Sequence, residues 1–269
     1  MHRPGVPNSG DAGAVLCAAR KNEDMSTALV TGASSGIGAA TARALAADGW
    51  SVICAARRRD RIEALALEIG GRAVVCDVTS PESVASLVEE VGPKLDLLVN
   101  NAGGAVGQEP VEEADFDAWQ MMYQTNVLGT TRVTKALLPA LEAANGTIVF
   151  ITSTAAEGPY EGGAGYNAAK AGERMVAGAL RLELFDRDVR ICEVSPGMVH
   201  TDEFSLTRFH GDQAKADKVY EGVAEPLVAE DIAECIRWIA GLPHHVNIDR
   251  MIVRPRAQAS QFKVFRQAQ

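Results

Sequence analysis

Seven short apolar segments alternate along this chain with segments that carry a helical repeat of apolar residues. In the clearest repeat, Ile62, Leu65, Ala66 and Ile69 stand at i, i+3, i+4 and i+7 after the second apolar segment. Apolar runs between amphipathic helices are typical of parallel strands that helices cover on both faces. The predicted strands lie at 28–31, 52–55, 73–76, 95–99, 147–151, 189–194 and 251–253. The alternation predicts one doubly wound α/β domain with a seven-stranded, mostly parallel sheet.

The organisation of the chain around this domain follows from how its composition changes. Residues 25–256 contain all the predicted strands, whereas residues 1–24 hold Pro, Gly and charge around one short apolar run and predict a disordered extension. The tail, residues 257–269, has three large apolar side chains among polar ones, so it either packs on a neighbouring subunit or frays. A polar stretch at 198–224 predicts a lid over a substrate site.

The charge and hydropathy of the chain exclude several classes of partner. The formal net charge is −9, whereas a protein that binds nucleic acid or an anionic membrane surface needs a basic face. No apolar run approaches the roughly 18 residues that a helix needs to cross a bilayer. We therefore expect a small-molecule substrate, and neither nucleic acid nor a membrane as partner.

The cysteines and histidines lack the spacing of a metal site. The five cysteines are scattered without a CxxC pair, and the five histidines show no ligand spacing with them. Cysteines within apolar strands behave as small hydrophobic residues, and unpaired ones are usual in a reducing compartment. The sequence predicts no bound metal and a cytoplasmic location.

A glycine-rich loop, TGASSGIG at 31–38, joins the first predicted strand to the first predicted helix. Glycines at such a turn let the backbone approach a pyrophosphate, and the helix N-terminus presents free N–H groups to it. The spacing G-x-x-x-G-x-G differs from G-x-G-x-x-G, and a lone glycine loop is often just a turn. Its place after the first of several parallel strands predicts a Rossmann-type nucleotide site. The predicted cofactor contacts in the loop are Gly32, Ser34, Ser35, Gly36, Ile37 and Gly38.

The end of the second predicted strand indicates which dinucleotide binds. An NAD site usually has Asp or Glu there to bind the ribose 2′-hydroxyl, whereas this chain reads AARRR at 55–59. Arginines at a helix start oppose the helix dipole, and a bound 2′-phosphate gives a reason for them. Arg57, with Ser34, is the predicted phosphate ligand, and Arg58 lies beside it. The sequence thus favours NADP(H) over NAD(H).

Two further strand ends carry candidate cofactor contacts. After the third strand, Asp77 either accepts the adenine amino group or caps the helix that begins near Pro81. The fourth strand ends in NNAG at 100–103, where ligands gather in doubly wound sheets, although Asn and Gly also suit a plain turn. The predicted contacts at these two ends are Asp77, Val78, Asn100, Ala102 and Gly103.

The segment after the fifth predicted strand contains the candidate catalytic residues. Tyr166 and Lys170 are four residues apart on a predicted helix and therefore share one face. A lysine ammonium close to a phenol favours the phenolate and lowers a pKa that is ordinarily about 10. Ser153 arrives from the strand end and can offer its hydroxyl to the same substrate oxygen. Together with a cofactor site these side chains predict proton transfer at an alcohol or a carbonyl, whereas an ordinary surface helix is the alternative for the Tyr–Lys pair taken alone.

Taken in order, these motifs resemble those of the short-chain dehydrogenase/reductase family. The matching motifs are TGASSGIG at 31–38, NNAG at 100–103, Asn126, Ser153, YNAAK at 166–170 and PG at 196–197. The resemblance runs from about Thr27 to Pro255. It implies an oxidoreductase that transfers hydride between NADP(H) and a secondary alcohol or carbonyl.

The resemblance also implies a role for each matching residue. Tyr166 is expected to be the general acid/base, and Lys170 to assist it while holding the nicotinamide ribose. Ser153 is expected to bind the substrate oxygen, and Asn126 to support a water that links Lys170 to solvent. For Asn126 and for Thr201, a simple helix cap is the alternative role. The expected contacts near the nicotinamide are Tyr166, Lys170, Pro196, Gly197, Val199 and Thr201.

The second half of the chain is similar to one branch of the family, the NADP-dependent serine/3-hydroxy acid dehydrogenases. The similarity rests on 202–211, 218–221, 230–234 and 242–248. It implies oxidation of the β-hydroxyl of serine, allo-threonine or a small 3-hydroxy acid, with Ser153 and Tyr166 at the hydroxyl. Within the predicted lid, Arg208 is the candidate for binding a substrate carboxylate, and a solvated charge on a surface helix is the alternative. The ending at 252–255 also resembles reductases of aldehydes and ketones, so a larger carbonyl substrate stays open.

Two expectations concern assembly and activity. Members of the family are commonly homotetramers, so we expect a homotetramer or homodimer built partly through the helices after Asn126 and Tyr166. A catalytically silent NADP-binding regulator is the alternative to an enzyme. Because Asn126, Ser153, Tyr166 and Lys170 are all present, we expect an enzyme.

Overall fold

The structure, a computed structural model, describes residues 25–267. The predicted extension at residues 1–24 lies outside the described residues, and so do residues 268–269 of the tail. Within the described part, no helix is both long enough and apolar enough to cross a membrane.

Nine strands in the described part of the chain form two sheets. Their bounds are β1 Thr27–Thr31, β2 Ser51–Ala56, β3 Arg72–Val75, β4 Leu97–Asn100, β5 Thr147–Ile151, β6 Arg190–Pro196, β7 Val199–His200, β8 Leu227–Val228 and β9 Met251–Val253. The larger sheet has seven strands in the order β3-β2-β1-β4-β5-β6-β9, and every pairing in it is parallel. The predicted doubly wound sheet is confirmed. The small second sheet of β7 and β8 was not predicted.

Helices cover both faces of the large sheet. Their bounds are α1 Gly36–Ala47, α2 Arg59–Ile69, α3 Pro81–Val91, α4 Phe116–Tyr123, α5 Thr130–Ala143, α6 Ala164–Glu183, α7 Phe204–Arg208, α8 Gln213–Tyr220 and α9 Ala229–Gly241. On one face α1, α2 and α9 bury Leu45 and Ile236 completely. On the other face α3, α5 and α6 bury Leu87 and Leu137. Burial of each such side chain stabilises the fold by about 1.5–3 kcal/mol. Because helices cover the sheet on both faces, its strands are apolar along their length.

The strand order places the candidate site at one edge of the sheet. β1 lies between β2 and β4, so the chain winds away from β1 in both directions. In doubly wound sheets, the loops after the strands on either side of such a point form a crevice at the carboxyl edge. The glycine loop after β1, the arginines after β2 and the NNAG turn after β4 therefore lie at the same edge.

Local signals set the helix ends near this edge. Ser80 caps α3, since its side chain accepts a hydrogen bond from the backbone N–H of Ser83, and Pro81 occupies the first turn. The alternative role of Asp77 as the cap of this helix is therefore wrong. Gly70 ends α2 with a φ of 67°, in the left-handed region that glycine adopts without strain.

The predicted lid, residues 198–224, and the tail pack on each other. The segment between β7 and β8 contains α7 and α8, and the tail folds back with an antiparallel bridge between Gln258 and Val264. The backbone N–H of Gln267 donates to the carbonyl oxygen of Gly222 at 2.7 Å, and Arg266 donates to that of Val219 at 3.0 Å. The described part of the tail therefore contacts the lid of its own chain.

Candidate active site

The glycine loop turns sharply between β1 and α1. Gly32 has a φ of 66° and Gly36 a φ of 50°, which residues with a Cβ rarely adopt. A Cβ on Gly38 would lie 2.4 Å from the carbonyl oxygen of Gly32, so only glycine lets the helix start this close to the loop. The first turn of α1 has neither a side-chain cap nor an acidic residue. Its backbone N–H groups are therefore available to an anion.

A threonine hydroxyl joins the loop to the end of β4. Thr31 Oγ1 donates to the carbonyl oxygen of Val99 at 3.2 Å. It also accepts the backbone N–H groups of Asn101 and Ala102, each at 3.0 Å. Because one buried hydroxyl binds both strand ends, the glycine loop and the NNAG turn are held together.

The two asparagines of the NNAG turn have different surroundings. The side-chain amide of Asn101 donates to the carbonyl oxygens of Thr31 and Gly32, at 2.9 and 3.3 Å. Asn100, which was the predicted contact, is 1% exposed and donates to Thr134 Oγ1 at 2.8 Å. Successive side chains of an extended segment point in opposite directions, so only one of the pair can face the loop. That one is Asn101.

A cationic corner lies after β2, and Arg58 is its centre. Arg58 donates to Ser34 Oγ at 3.1 Å from Nε and at 2.8 Å from Nη2, and to Ser35 Oγ at 2.9 Å. Its Nη1 donates to Glu203 Oε2 at 2.7 Å. The sequence paired Ser34 with Arg57, but in the structure the partner is Arg58, and Arg57 is exposed. Alternation along the extended backbone again explains the difference of one residue.

Glu203 places a carboxylate at this corner. It accepts from Arg58, and its Oε1 lies 3.0 Å from Arg61 Nη1. Burial alone would raise the pKa of Glu203, but hydrogen bonds from Arg58 and Ser35 and the charge of Arg61 outweigh it, so the pKa is lowered. An anionic ligand at this corner would therefore compete with Glu203 for Arg58.

Asp77, the predicted adenine contact, lines the cavity. Its Oδ1 accepts from the backbone N–H and the hydroxyl of Thr79, at 2.9 and 2.7 Å. Burial alone would raise the pKa of Asp77, but the Thr79 hydrogen bonds and the charges of Arg57 and Arg132 outweigh it and lower the pKa. The group is an ionised acceptor at the cavity wall.

Tyr166 and Lys170 lie one turn apart on α6, and both line the same cavity. Both are buried, with 8% and 5% of their surface exposed. Lys170 Nζ donates to the carbonyl oxygen of Ile151 at 2.9 Å and to Glu173 Oε2 at 2.7 Å. Burial alone would lower the pKa of Lys170, but Glu173 and Tyr166 outweigh it and leave the pKa raised. Lys170 is thus a buried cation on the face that carries the tyrosine.

Ser153 reaches the cavity from the end of β5. Its backbone is extended, with φ −169° and ψ 153°, and a short 3₁₀ turn, Thr154–Ala156, follows it. Its Oγ accepts the backbone N–H of Ala155 at 3.1 Å. The hydroxyl hydrogen of Ser153 can therefore still be donated to an oxygen in the cavity.

Asn126 lies inside a π-helical turn, Gln124–Gly129, between α4 and α5. Its side chain is completely buried. Nδ2 donates to the carbonyl oxygens of Met122 and Gly104, at 2.8 and 3.0 Å, and Oδ1 accepts the N–H of Gly104 at 3.2 Å. The alternative role as a helix cap is wrong, because the residue lies within a continuous helical run. Short π-helical turns inside helices are frequent at functional sites.

Gly103 separates Asn126 from Lys170. A Cβ on this glycine would lie 2.4 Å from Asn126 Oδ1 and 3.4 Å from Lys170 Nζ. The turn after β4 can therefore pass between the two side chains only because residue 103 lacks a Cβ. The water that was expected to link Asn126 to Lys170 remains a prediction.

Arg208, at the end of α7, lies beside the rings of Tyr160 and Tyr166. Its Nε donates to the carbonyl oxygen of Gly107 and its Nη2 to Tyr160 Oη, both at 3.0 Å. The guanidinium carbon lies 5.4 Å from the ring centre of Tyr160 and 5.9 Å from that of Tyr166. Burial raises the pKa of Tyr160, and Arg208 offsets part of that effect. A guanidinium has five N–H donors, so Arg208 keeps donors for a further anion.

One cavity of about 1120 Å³ joins these groups. Its lining includes Gly32, Ser34, Ser35, Gly36, Ile37, Arg57, Arg58, Asp77, Val78, Ala102, Gly103, Ser153, Tyr166, Lys170, Pro196, Gly197, Val199, Thr201 and Arg208. Gly38, Asn100 and Asn126 are predicted site residues outside the lining. Thr201 is not a helix cap, because Glu203 precedes α7. The cavity exceeds the usual 300–1,000 Å³ of a small-ligand pocket and has room for two ligands.

Sequence profiles of known families identify the chain. The profile of the short chain dehydrogenase family matches residues 26–208. The chain belongs to this family. It is an oxidoreductase that acts on CH–OH groups, and the predicted resemblance is confirmed.

Individual relatives agree with that family. An uncharacterised oxidoreductase of Mycobacterium tuberculosis is 55% identical over 234 residues, covering 87% of this chain and 92% of the relative. Serine 3-dehydrogenase of Agrobacterium fabrum is 40% identical over 248 residues, covering 90% and 99%. The closed form of serine dehydrogenase complexed with NADP+ has a TM-score of 0.84 and 37% identity, covering 90% of this chain and 100% of that chain. The predicted similarity to this branch is confirmed.

Sequence reasoning missed four residues near the site: Tyr160, Glu173, Glu203 and Gln258. Glu173 had a readable signal, because it follows Lys170 by three residues on the predicted helix. Gln258 had none, since its Oε1 accepts the backbone N–H of Met198, 60 residues away. Contacts at such separations depend on the packing of the whole domain.

Proposed function

We propose that this protein is an NADP(H)-dependent dehydrogenase of small 3-hydroxy acids or β-hydroxy amino acids such as serine and allo-threonine. The observation that carries the proposal is that Ser153, Tyr166 and Lys170 line one cavity with the glycine loop and Arg58. The similarity to serine 3-dehydrogenase supports the substrate class. Initial rates on a panel of alcohols and carbonyls, with NADP(H) and NAD(H), test the proposal.

The residues present fit NADP(H). The glycine loop forms a cradle that a Cβ at Gly38 would fill, and the first turn of α1 offers N–H groups to the pyrophosphate. Arg58 with Ser34 and Ser35 would hold the 2′-phosphate, and Arg57 would lie at its edge. Residues near the adenine and the nicotinamide would be Asp77, Val78, Ala102, Gly103, Tyr166, Lys170, Pro196, Gly197, Val199 and Thr201. When bound, the cofactor supplies or accepts the hydride.

The chain's own residues would move the proton. In alcohol oxidation the Tyr166 phenolate takes the hydroxyl proton, and in carbonyl reduction the phenol returns it to the same oxygen. Ser153 donates a hydrogen bond to that oxygen, and the Lys170 ammonium favours the phenolate. Such general acid–base catalysis is typically worth ~10²–10⁴-fold.

The carboxylate of the substrate would bind Arg208. Arg208 is held beside the Tyr166 ring by Gly107 and Tyr160, so its guanidinium is already oriented. A 3-hydroxy acid has its carboxylate two carbon atoms from the hydroxyl, which suits a cation close to the catalytic phenol. Arginine recognises carboxylates well because two parallel N–H groups can donate to the two oxygens.

Replacing Arg208 by glutamine is expected to raise KM for serine and 3-hydroxybutyrate-like acids by about tenfold or more. Hydrogen bonds to charged groups contribute about 1.5–3 kcal/mol, and glutamine cannot supply the charge. KM for neutral aldehydes should change little. Lys218→Gln is the matched control, since it removes a cation of the lid that also lines the cavity. Equal KM values for acids in wild type and Arg208→Gln would refute the role of Arg208.

A larger aldehyde or ketone is the second candidate substrate. The lid and the tail add the apolar side chains Phe204, Phe209, Val219 and Val264 to the cavity lining. This apolar wall would accept a longer carbonyl compound with the same proton chemistry. Higher kcat/KM for such carbonyls than for 3-hydroxy acids would favour this candidate.

The assembly is proposed to be a homotetramer or homodimer. On α4 and α6, Met121 and Met175 are 52% and 62% exposed, so these helices present apolar side chains to a neighbour. We expect light scattering to give two or four times the mass of one chain, and Met175→Glu to reduce the number of chains in the assembly. Leu67→Glu on α2 is the control and should leave that number unchanged. Deletion of residues 257–269 should also leave the number of chains unchanged. A monomeric wild type would contradict this proposal.

A reducing, cytoplasmic location belongs to the same proposal. The four described cysteines, Cys54, Cys76, Cys192 and Cys235, are unpaired. Burial raises the pKa of Cys54 to about 12, so its thiol stays protonated and unreactive. These thiols act as small packing groups.

A further inference from the structure

A buried carboxyl group lies directly against the lysine of the proposed catalytic set. Glu173 follows Lys170 by three residues on α6 and is 1% exposed. Its Oε2 accepts from Lys170 Nζ at 2.7 Å, and the same Nζ donates to the carbonyl oxygen of Ile151 at 2.9 Å. An ammonium has three N–H donors, so two serve the protein and one is left for the cavity. The proposed mechanism gives Glu173 no role.

Charged groups from several elements surround Glu173. Lys170 on α6 and Glu193 on β6 act on Glu173 directly. Tyr166 acts on Lys170, whereas Arg174, Arg250 and Glu157 act on Glu193, and Glu157 lies 3.3 Å from both of these arginines. Glu193 is a second buried carboxyl group, but it accepts a hydrogen bond from the hydroxyl of Thr152 at 2.7 Å. Of these two carboxyl groups, Glu173 is the one bonded to Lys170.

Burial controls when Glu173 is charged. It raises the pKa of Glu173 to about 7, and Lys170 offsets only part of that effect. The pKa of Lys170 is itself raised, because Glu173 and Tyr166 outweigh the effect of burial. Lys170 therefore remains an ammonium at neutral pH, whereas Glu173 gains negative charge as the pH rises through about 7.

We infer that Glu173 is a positioning residue that holds the buried Lys170 side chain in place and in its positively charged form, one turn from Tyr166 on α6. The inference rests on the proposed function, in which that charge favours the phenolate. A carboxylate 2.7 Å from the ammonium favours the charged form of this buried lysine, whereas burial without that partner favours the neutral amine. The charge that assists proton transfer at Tyr166 then depends on Glu173.

The test compares Glu173→Gln with Glu193→Gln, which removes the neighbouring carboxyl group that is bonded to Thr152. Tyrosinate absorbance is titrated without cofactor, and a Tyr166→Phe version of each protein is subtracted so that the signal reports Tyr166. We expect Glu173→Gln to move the midpoint to higher pH by at least about half a unit, because burial then favours the neutral form of Lys170, and Glu193→Gln to move it by less than half of that shift. The acid limb of alcohol oxidation with NADP+ should move in the same direction.

An unchanged or lowered midpoint in Glu173→Gln, or equal shifts in the two variants, overturns the inference. If the wild type oxidises no alcohol of the panel, the proposed function fails, while the absorbance titration still decides the role of Glu173. If Glu173→Gln does not fold, Glu173→Asp replaces it, because aspartate keeps the charge but withdraws it by one methylene. A smaller shift to higher pH is then expected, and no shift overturns the inference.

Discussion

Replacing Tyr166 by phenylalanine is expected to lower kcat by roughly 10²–10⁴-fold and to leave the affinity for NADPH nearly unchanged. The substitution removes the phenolic oxygen that exchanges a proton with the substrate, but it keeps the ring. Because Tyr166 is only 8% exposed, the retained ring preserves the packing of the site. Stopped-flow rates of NADPH oxidation and a fluorescence titration of NADPH measure the two effects.

Tyr160→Phe is the matched control for this prediction. Tyr160 lines the same cavity, and its hydroxyl oxygen accepts from Arg208. We expect the control to change KM for acidic substrates more than kcat, since it loosens the guanidinium and not the proton donor. Full activity of Tyr166→Phe would refute the acid/base role. A wild type that binds NADPH but reduces no carbonyl would instead indicate a catalytically silent regulator.

Replacing Arg58 by alanine is expected to reduce the preference for NADPH over NADH, as a ratio of kcat/KM, by about tenfold to a hundredfold. Hydrogen bonds between a guanidinium and a phosphate contribute about 1.5–3 kcal/mol, and NADH lacks the 2′-phosphate. The hydroxyls of Ser34 and Ser35 hold Arg58 in place. Arg57→Ala should narrow the preference less, because Arg57 is exposed and both serines bind Arg58.

Replacing the carboxylate at the same corner is expected to have the opposite effect on the binding of NADPH. Glu203→Gln should strengthen the binding of NADPH, because it removes the group that competes with a phosphate for Arg58. Arg43→Ala is the control, since Arg43 binds Glu68 at 2.7 Å and both side chains are about half exposed. An unchanged cofactor ratio in both Arg57→Ala and Arg58→Ala would refute the phosphate site.

At two strand ends, the residue that the sequence selected and the residue that makes the contact in the structure differ by one position. The sequence predicted cofactor contacts among the arginines after β2 and the asparagines after β4, and it paired Arg57 with Ser34 and selected Asn100. In the structure Arg58 contacts Ser34, and Asn101 binds the glycine loop. Neighbouring side chains of an extended segment face opposite sides, so the choice depends on the twist of each strand end.

The lid shows a second limit of the sequence. Its composition predicted a charged cover with Arg208 near the substrate, but not what holds Arg208. The guanidinium binds the carbonyl oxygen of Gly107, 101 residues earlier, and the hydroxyl of Tyr160. These partners come together only after the sheet has formed, because they belong to loops that follow different strands.

By itself, the sequence determined the doubly wound fold, the glycine loop and the pairing of Tyr166 with Lys170. These features depend on short-range periodicity and on glycine conformation, which a linear chain displays directly. Only the tertiary structure decided that Glu203 binds Arg58, which is 145 residues away in the sequence, and that the tail contacts the lid. The same holds for the burial of the ion pair between Lys170 and Glu173. Those contacts depend on strand order and burial, which change the charge and the partners of a residue without changing its place in the sequence.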